Sequence, residues 1–129
     1  MSEYKNFSIT RQTKGGIPNL PFVDVKNEIL GKKYELSLIF PTLDLAEELH
    51  IQWKKKAGPV NILSFPLDTD SGEIFLTLAQ ARTEAKKFNR SYREHTLFLF
   101  IHGCLHLKGM IHGHAMEKDE NKFYAKYTK

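Results

Sequence analysis

Residues 102–112 read HGCLHLKGMIH, and they predict a helix that ends in a turn carrying three histidines. Residues four apart lie on one face of a helix, so His102 and His106 can direct their rings toward a common point. Gly109 stands where the chain would leave the helix, because glycine adopts the left-handed conformation there without steric penalty. The turn would then bring His112 back toward the other two histidines, which predicts a metal site with three nitrogen ligands.

Three imidazole ligands leave one position of a tetrahedral ion open, and an open position is typical of catalytic rather than structural zinc sites. We therefore expect one Zn²⁺ per chain, with another divalent transition metal as the alternative. With no anionic ligand the ion keeps its full charge, so it can activate water and polarise a carbonyl or phosphoryl oxygen. The pattern indicates a hydrolase.

The composition is that of an ordinary globular protein. With 129 residues, 41% hydrophobic and 26% charged, the chain fits one domain spanning 1–129. It has no apolar stretch long enough for a membrane span, and its first residues lack the apolar segment of a secretory signal. The single cysteine, Cys104, excludes an internal disulfide. These features predict a cytoplasmic protein without a membrane partner.

The basic residues are clustered, and the formal charge is +4. The clusters are Lys54, Lys55 and Lys56; Lys86, Lys87, Arg90 and Arg93; and Lys118, Lys122 and Lys126. The last three recur every fourth residue and would form a stripe on a helix. Such clusters suit a phosphate backbone but equally suit a solvated face, so charge alone leaves nucleic-acid binding open.

The hydrophobic periodicity predicts an α+β fold, with a small mixed sheet of about four strands packed with about five helices. Strands are expected at 7–10, 34–40, 61–67 and 73–78, the last two as antiparallel partners. Helices are expected at 22–30, from an N-cap at Thr42 to Gly58-Pro59, at 79–88, at 92–108 and at 114–127. The metal site then lies on the fourth helix and the turn after it.

The same histidine spacing occurs in the metzincin peptidases, but one group is missing here. Their helix carries a glutamate directly after the first histidine, where it acts as general base, whereas this chain has Gly103. Without that carboxylate, proton delivery to an amine leaving group lacks its carrier. A zinc peptidase therefore stays an alternative only with a base from elsewhere, such as Glu117.

Together with residues 61–66, which read NILSFP, the histidine motif resembles the YbeY family of bacterial endoribonucleases. The resemblance runs from the helix ending near Trp53 to Glu117. It implies a metal-dependent endoribonuclease, usually assigned zinc, that cleaves single-stranded RNA in 16S rRNA 3′-end maturation and late ribosome quality control. It also implies that the protein meets the ribosomal subunit or assembly factors.

Carried over by position, the resemblance assigns the metal ligands to His102, His106 and His112, and catalysis to these three and Lys54. Lys54 stands where the family has arginine, so it keeps the charge but lacks the planar fork that grips a phosphate bidentately. Ile111 stands where the family generally has aspartate, so no proton-transfer role is carried over to it. Two further departures are Val60 for threonine and Glu73 for aspartate.

Other polar residues receive structural interpretations. His50 and His95 have no partner at ligand spacing and are predicted to be ordinary, and His114 is predicted to lie at the surface or beside the site. Ser64 is expected to satisfy backbone groups, and Cys104 is expected to be a small buried hydrophobe.

A second class of function also fits the sequence. In this alternative the metal is structural, and the protein is a non-catalytic ribosome-assembly factor whose ion holds the helix, the turn at Gly109 and the C-terminal segment together. Retention of the fold after metal removal would favour catalysis, whereas global unfolding would favour the structural role.

Overall fold

A computed structural model describes residues 6–54 and 61–128. Its elements within these ranges are β1 (Phe7–Arg11), α1 (Phe22–Leu30), β2 (Glu35–Phe40), α2 (Leu43–Lys54), β3 (Ile62–Asp68), β4 (Ser71–Leu76), α3 (Leu78–Lys87), α4 (Tyr92–Lys108) and α5 (His114–Tyr127). The predicted α+β architecture is confirmed. Across the described residues, none of the helices combines the length and the apolar character that crossing a membrane requires.

The described strands form one mixed sheet in the order β1-β2-β4-β3. β2 runs parallel to both β1 and β4, which sets Leu36 beside Phe7 and Leu38 beside Ile74. β3 and β4 are antiparallel, and Ser64 lies opposite Ile74. Alternate side chains of a strand point to opposite faces, so this register gathers the buried residues of the strands on the faces that the helices cover.

The central helix is α4, which packs against α1, α3, α5, β3 and β4. It is buried around most of its circumference, as expected of a core helix. Its buried apolar residues are Leu97, Leu99, Phe100, Ile101, Cys104 and Leu105. A capping box starts it: Ser91 Oγ accepts from the Glu94 amide at 3.0 Å, and Glu94 Oε1 accepts from the Ser91 amide at 2.9 Å. Such a cap stabilises a helix by about 1 kcal/mol.

The β3–β4 hairpin is tighter than the sequence pattern predicts. β4 begins at Ser71, two residues earlier than expected, because the turn comprises only residues 69–70. The Asp68 carboxylate accepts a hydrogen bond from the Asp70 amide at 2.8 Å, and this side-chain bond closes the turn. At the other end, Leu78 is the first residue of α3 rather than the last of the strand.

The start of α2 agrees with the N-cap that the sequence predicts. Thr42 Oγ1 accepts from the Leu45 amide at 3.3 Å, which confirms the predicted N-cap. Leu43, the first residue of the helix, is 48% exposed because it lies in the outermost turn. The predicted end of this helix at residues 58–59 lies outside the described residues.

Candidate metal centre

The chain leaves α4 through a tight turn at Gly109, which adopts φ 108° and ψ 5°. The Gly109 amide donates to the His106 carbonyl at 2.9 Å, and the Met110 amide donates to the Leu105 carbonyl at 3.0 Å. These two bonds form a Schellman motif, in which the left-handed residue is usually glycine. The predicted turn is therefore confirmed, and it brings His112 back toward the end of the helix.

The three predicted ligands meet at this point. The ring centroids lie 4.5 Å apart for His102 and His106, 5.2 Å for His102 and His112, and 4.9 Å for His106 and His112. One ring nitrogen of each lies within 4.8 Å of the others. Nitrogens bound to one zinc at about 2.0–2.1 Å are about 3.4 Å apart, so small ring movements bring all three into range. The group is of a size that a single metal ion fits.

Hydrogen bonds at the outer nitrogens orient two of the rings. His106 Nδ1 donates to the Met110 carbonyl at 3.0 Å, and His102 Nδ1 donates to the carboxylate of Glu120. Both protons are thus placed on Nδ1, so the Nε2 lone pairs of His102 and His106 face each other across 3.0 Å. Two facing lone pairs repel unless a proton or a metal ion lies between them. The chemistry of this pair therefore fits a metal ion.

Glu120 is the part of the centre that the sequence reasoning missed. It lies in the middle of α5 and is only 7% exposed, between the buried residues Met116 and Phe123. A carboxylate on the far nitrogen of a metal-binding histidine fixes the ring and raises its basicity. Its position on the apolar face of the predicted helix, three residues before Phe123, was the available signal, because a buried glutamate requires a partner.

The histidines open into a cavity of about 710 Å³. Besides the three histidines, the residues that line it include His50, Asn61, Ile62, Ser64 and Ile111. β3 therefore forms one side of the cavity, and the turn after α4 forms the other. Ile111 is 82% exposed, so the residue before the third histidine contributes an apolar rim. His112, also exposed, is the most accessible of the three histidines.

His50 is not part of the three-histidine group, as its spacing in the sequence predicts, but it lines the same cavity. It lies on α2, more than fifty positions before the first ligand, and sequence spacing could not relate the two helices. Its Nδ1 is buried and has no hydrogen-bond partner among the described residues. A fourth imidazole thus lies in the wall of the metal cavity, and its Nδ1 makes no hydrogen bond to the described residues.

The packing around residue 103 explains why a glycine stands there. A Cβ built at this position would come 2.8 Å from Ile62 Cδ1, 3.0 Å from Ile74 Cδ1 and 3.1 Å from Ser64 Oγ. Ser64 Oγ donates to the Gly103 carbonyl at 3.3 Å, which confirms its predicted backbone role. The residue after the first histidine therefore faces the sheet, and a glutamate here would be driven into β3 and β4.

Three other sequence predictions are resolved. Cys104 is fully buried, as predicted, and burial raises the pKa of its thiol. His114 is exposed at the start of α5 and is not part of the three-histidine group. Glu117, the base considered for a peptidase, is also exposed in the first turn of α5.

Lys54 is the last residue of α2, and its side chain lies outside the described residues.

His95, also predicted to be ordinary, is the centre of a buried polar network. Its ring is 2% exposed, and Arg90 donates to its Nδ1 at 3.2 Å. Arginine can only donate, so the proton is on Nε2, which donates to Glu84 Oε1 at 3.1 Å. Glu84 also accepts from Asn61 at 3.1 Å and from Gln80 at 3.1 Å. Because Asn61 lines the metal cavity, this network reaches the candidate site.

The basic clusters differ in their surroundings. Lys118 and Lys122 are exposed on α5, as predicted for a stripe. Lys126 is instead paired with Glu28 of α1 at 2.8 Å, so it fixes α5 to α1. Lys87 and Arg90 lie beside the His95 network. Residues 55–56 lie outside the described residues.

Comparison with known proteins points to one family. The family model described as Endoribonuclease YbeY matches residues 7–128. A protein named Endoribonuclease YbeY from Nocardia farcinica is 28% identical over 93% of this chain and 75% of its own length. One of the same name from Persephonella marina is 30% identical over 69% of this chain and 63% of its length. Another from Saccharopolyspora erythraea is 33% identical over 67% and 55%, so this chain spans between about half and three quarters of these relatives.

A solved structure has the same fold. The solution structure of TM1509 from Thermotoga maritima superposes with a TM-score of 0.63 at 26% identity, covering 92% of this chain and 88% of that one. The likeness of the fold therefore extends over most of this chain.

Proposed function

The chain belongs to the YbeY endoribonuclease family, and on that premise we propose that it cleaves single-stranded RNA at the three-histidine centre. The observation that carries the proposal is the convergence of three imidazoles on an open cavity: the Nε2 atoms of His102 and His106 are 3.0 Å apart, and His112 completes the group. Three protein nitrogens beside open space are the arrangement of a catalytic rather than a closed metal site.

Zn²⁺ is the proposed ion. Imidazole ligands suit zinc and other late divalent metals, and three histidines with one buried carboxylate behind them are a ligand set that zinc accepts. When bound, such an ion supplies Lewis acidity toward a phosphodiester and toward water. His102, His106 and His112 would hold it, while Glu120 keeps the His102 ring in place.

Residues other than the three histidines are proposed to bind and position the strand. Lys54 is proposed to balance the charge on the phosphoryl group, at the end of the helix that also carries His50. Ser64 and Asn61 are themselves held by hydrogen bonds, so the β3 wall is fixed before the substrate arrives. Exposed lysines on α5 add a sequence-independent attraction for the backbone, which makes binding sensitive to salt.

The family relation also supports a place in ribosome maturation. We propose that the substrate is the 3′ end of 16S rRNA, and that the protein meets it on the ribosomal subunit or with assembly factors. The three-histidine group is common to this proposal and to the peptidase alternative. The packing at Gly103 separates them, because that position has no room for the peptidase base.

The test combines metal analysis with RNA cleavage. Wild type and His106→Ala are purified, their zinc content is measured, and each is incubated with a labelled single-stranded RNA and with an unstructured protein. We expect wild type to bind about one zinc per chain and to cut only the RNA, and folded His106→Ala to lose both. Undiminished metal and cleavage in His106→Ala would overturn the proposal, and cleavage of the protein alone would favour a peptidase.

A further inference from the structure

A second cavity, of about 380 Å³, lies directly beside the metal cavity. The two share Asn61, Ile62 and His102 in their walls. Its volume falls in the range of about 300–1,000 Å³ in which proteins bind small ligands. A chemical group bound in this second cavity would therefore lie directly beside a group bound at the three histidines.

The wall of this second cavity is a series of stacked rings along α3 and α4. Phe88 stacks on His95 with centroids 5.3 Å apart and planes at 16°. His95 lies 6.2 Å from Phe98 at 10°, and Phe98 lies 6.4 Å from His102 at 28°. The series begins at the surface, where Phe88 is 57% exposed, and ends at a candidate metal ligand. An exposed phenylalanine held in a fixed plane offers a face to another planar group.

Cations lie along the same rings. The Arg90 guanidinium is 4.1 Å from the Phe98 centroid and 5.5 Å from that of Phe88. Lys87 also lines the cavity. The acidic group of the wall, Glu84, already accepts hydrogen bonds from three side chains, so its charge is largely committed. Aromatic faces combined with basic side chains are the means by which proteins bind single-stranded nucleic acid.

We propose that this cavity holds one unpaired nucleobase of the RNA strand, adjacent to the phosphate at the three-histidine centre. The proposal rests on the proposed function, and it names the part of the substrate that the neighbouring site recognises. Each base has a π-face, so stacking on Phe88 and Arg90 tolerates any sequence. A base inside a duplex is already paired and stacked on both faces, so it cannot enter. The cavity therefore gives a physical reason for cleavage of single strands.

The experiment measures binding separately from cleavage. A fluorescent 2′-O-methyl RNA nonamer, and a set of nonamers each lacking one base, are titrated with wild type, Phe88→Ala, Phe88→Trp and Leu67→Ala by anisotropy. Leu67 is the matched control, because it is a large hydrophobic residue 61% exposed on β3 and outside this cavity. Thermal unfolding of each variant checks that it is folded. Phe88→Trp is included because it keeps an aromatic face against His95, so it still tests the stacking role if Phe88→Ala disturbs the His95 ring.

The expected result is position-specific. For wild type, removal of one particular base weakens binding about tenfold or more, which is the usual effect of losing one stacked base. Phe88→Ala weakens binding of the intact nonamer similarly and makes that position insensitive to base removal. Phe88→Trp and Leu67→Ala behave as wild type.

Two results would overturn the proposal: a Phe88→Ala variant that binds like Leu67→Ala, or an abasic effect that persists in Phe88→Ala. Cleavage of unmodified RNA by wild type and His106→Ala is measured in parallel. Metal-dependent cleavage with no effect of Phe88→Ala refutes the base cavity alone. Absence of both binding and cleavage in wild type refutes the proposed function and the base cavity together.

Discussion

The buried carboxylate of Glu120 hydrogen-bonds Nδ1 of His102, 18 positions earlier in the chain. The bond joins α5 to α4 at the candidate metal centre, and it places the His102 proton on the side away from the other histidines. A single contact therefore serves both the packing of the last helix and the orientation of a candidate metal ligand.

Glu120→Gln is expected to weaken zinc binding by about 10-fold, the lower end of the usual effect of removing such a partner. The amide oxygen can still accept the His102 proton, but the negative charge that raises the basicity of the ring is lost. Competition with a chromogenic chelator measures the affinity. Asp119→Asn, on the same helix, is the control and should bind zinc as wild type does. Equal affinities of Glu120→Gln and wild type would show that the carboxylate only packs α5.

Gly103→Glu is expected to lower the free energy of unfolding by about 3 kcal/mol or more, because it forces an unpaired carboxylate between α4 and the sheet. Urea unfolding monitored by circular dichroism measures the loss. Ala79→Glu adds the same side chain at an exposed position of α3 and should change stability by less than about 0.5 kcal/mol. A stable Gly103→Glu variant that cleaves peptides would contradict this account of the position.

Most of the fold could be predicted because its helices and strands carry strong local patterns. α4 and α5 have the predicted bounds, and the left-handed turn at Gly109 follows from the need to end one helix before the third histidine. The contacts of Glu120 and His50 could not be predicted, since they depend on how α5 and α2 pack against other elements. Periodicity identifies the face of a helix, but not which distant residue meets it.

Glu84 makes the stability of the domain depend on pH. Burial acts to raise the pKa of its carboxyl, but hydrogen bonds from Asn61, His95 and Gln80 outweigh it and lower the pKa below the ordinary 4.5. A depressed folded-state pKa means that the carboxylate stabilises the protein above about pH 4.5 and that this contribution is lost as pH falls through the folded-state value.

Glu84→Gln should therefore be less stable than wild type by about 1 kcal/mol near neutral pH, a modest figure because the group is partly open to solvent. The difference should shrink below about pH 4.5. Urea unfolding of both proteins across pH checks it, with Glu47→Gln on the exposed side of α2 as the control. A difference that stays constant from neutral to acidic pH would mean that the amide replacement acts through packing and not through charge.

Removal of the metal should leave the fold intact. The core beside the centre consists of buried α4 residues such as Leu97, Ile101 and Leu105, whereas the three histidines are half-buried or exposed. A chelator should thus abolish RNA cleavage while the far-ultraviolet circular dichroism is retained. Zinc at about 100 times its dissociation constant should add about 2.7 kcal/mol of stability, measurable as a higher thermal midpoint. Global unfolding on chelation would favour the alternative of a structural ion in an assembly factor.

His50 is expected to act on the substrate and not on the metal. His50 lines the cavity, and its buried Nδ1 has no hydrogen-bond partner among residues 6–54 and 61–128. A turn of the ring that brings Nδ1 to the cavity would therefore break no hydrogen bond at that atom and would let a phosphate or sugar group use it. Losing one hydrogen bond to a charged group costs about 1.5–3 kcal/mol, which corresponds to roughly 10- to 150-fold in kcat/KM. His50→Ala should show that loss with about one zinc per chain retained. Gln52→Ala, exposed on the same helix, should cleave RNA normally. Loss of zinc from folded His50→Ala would instead make His50 a fourth metal ligand.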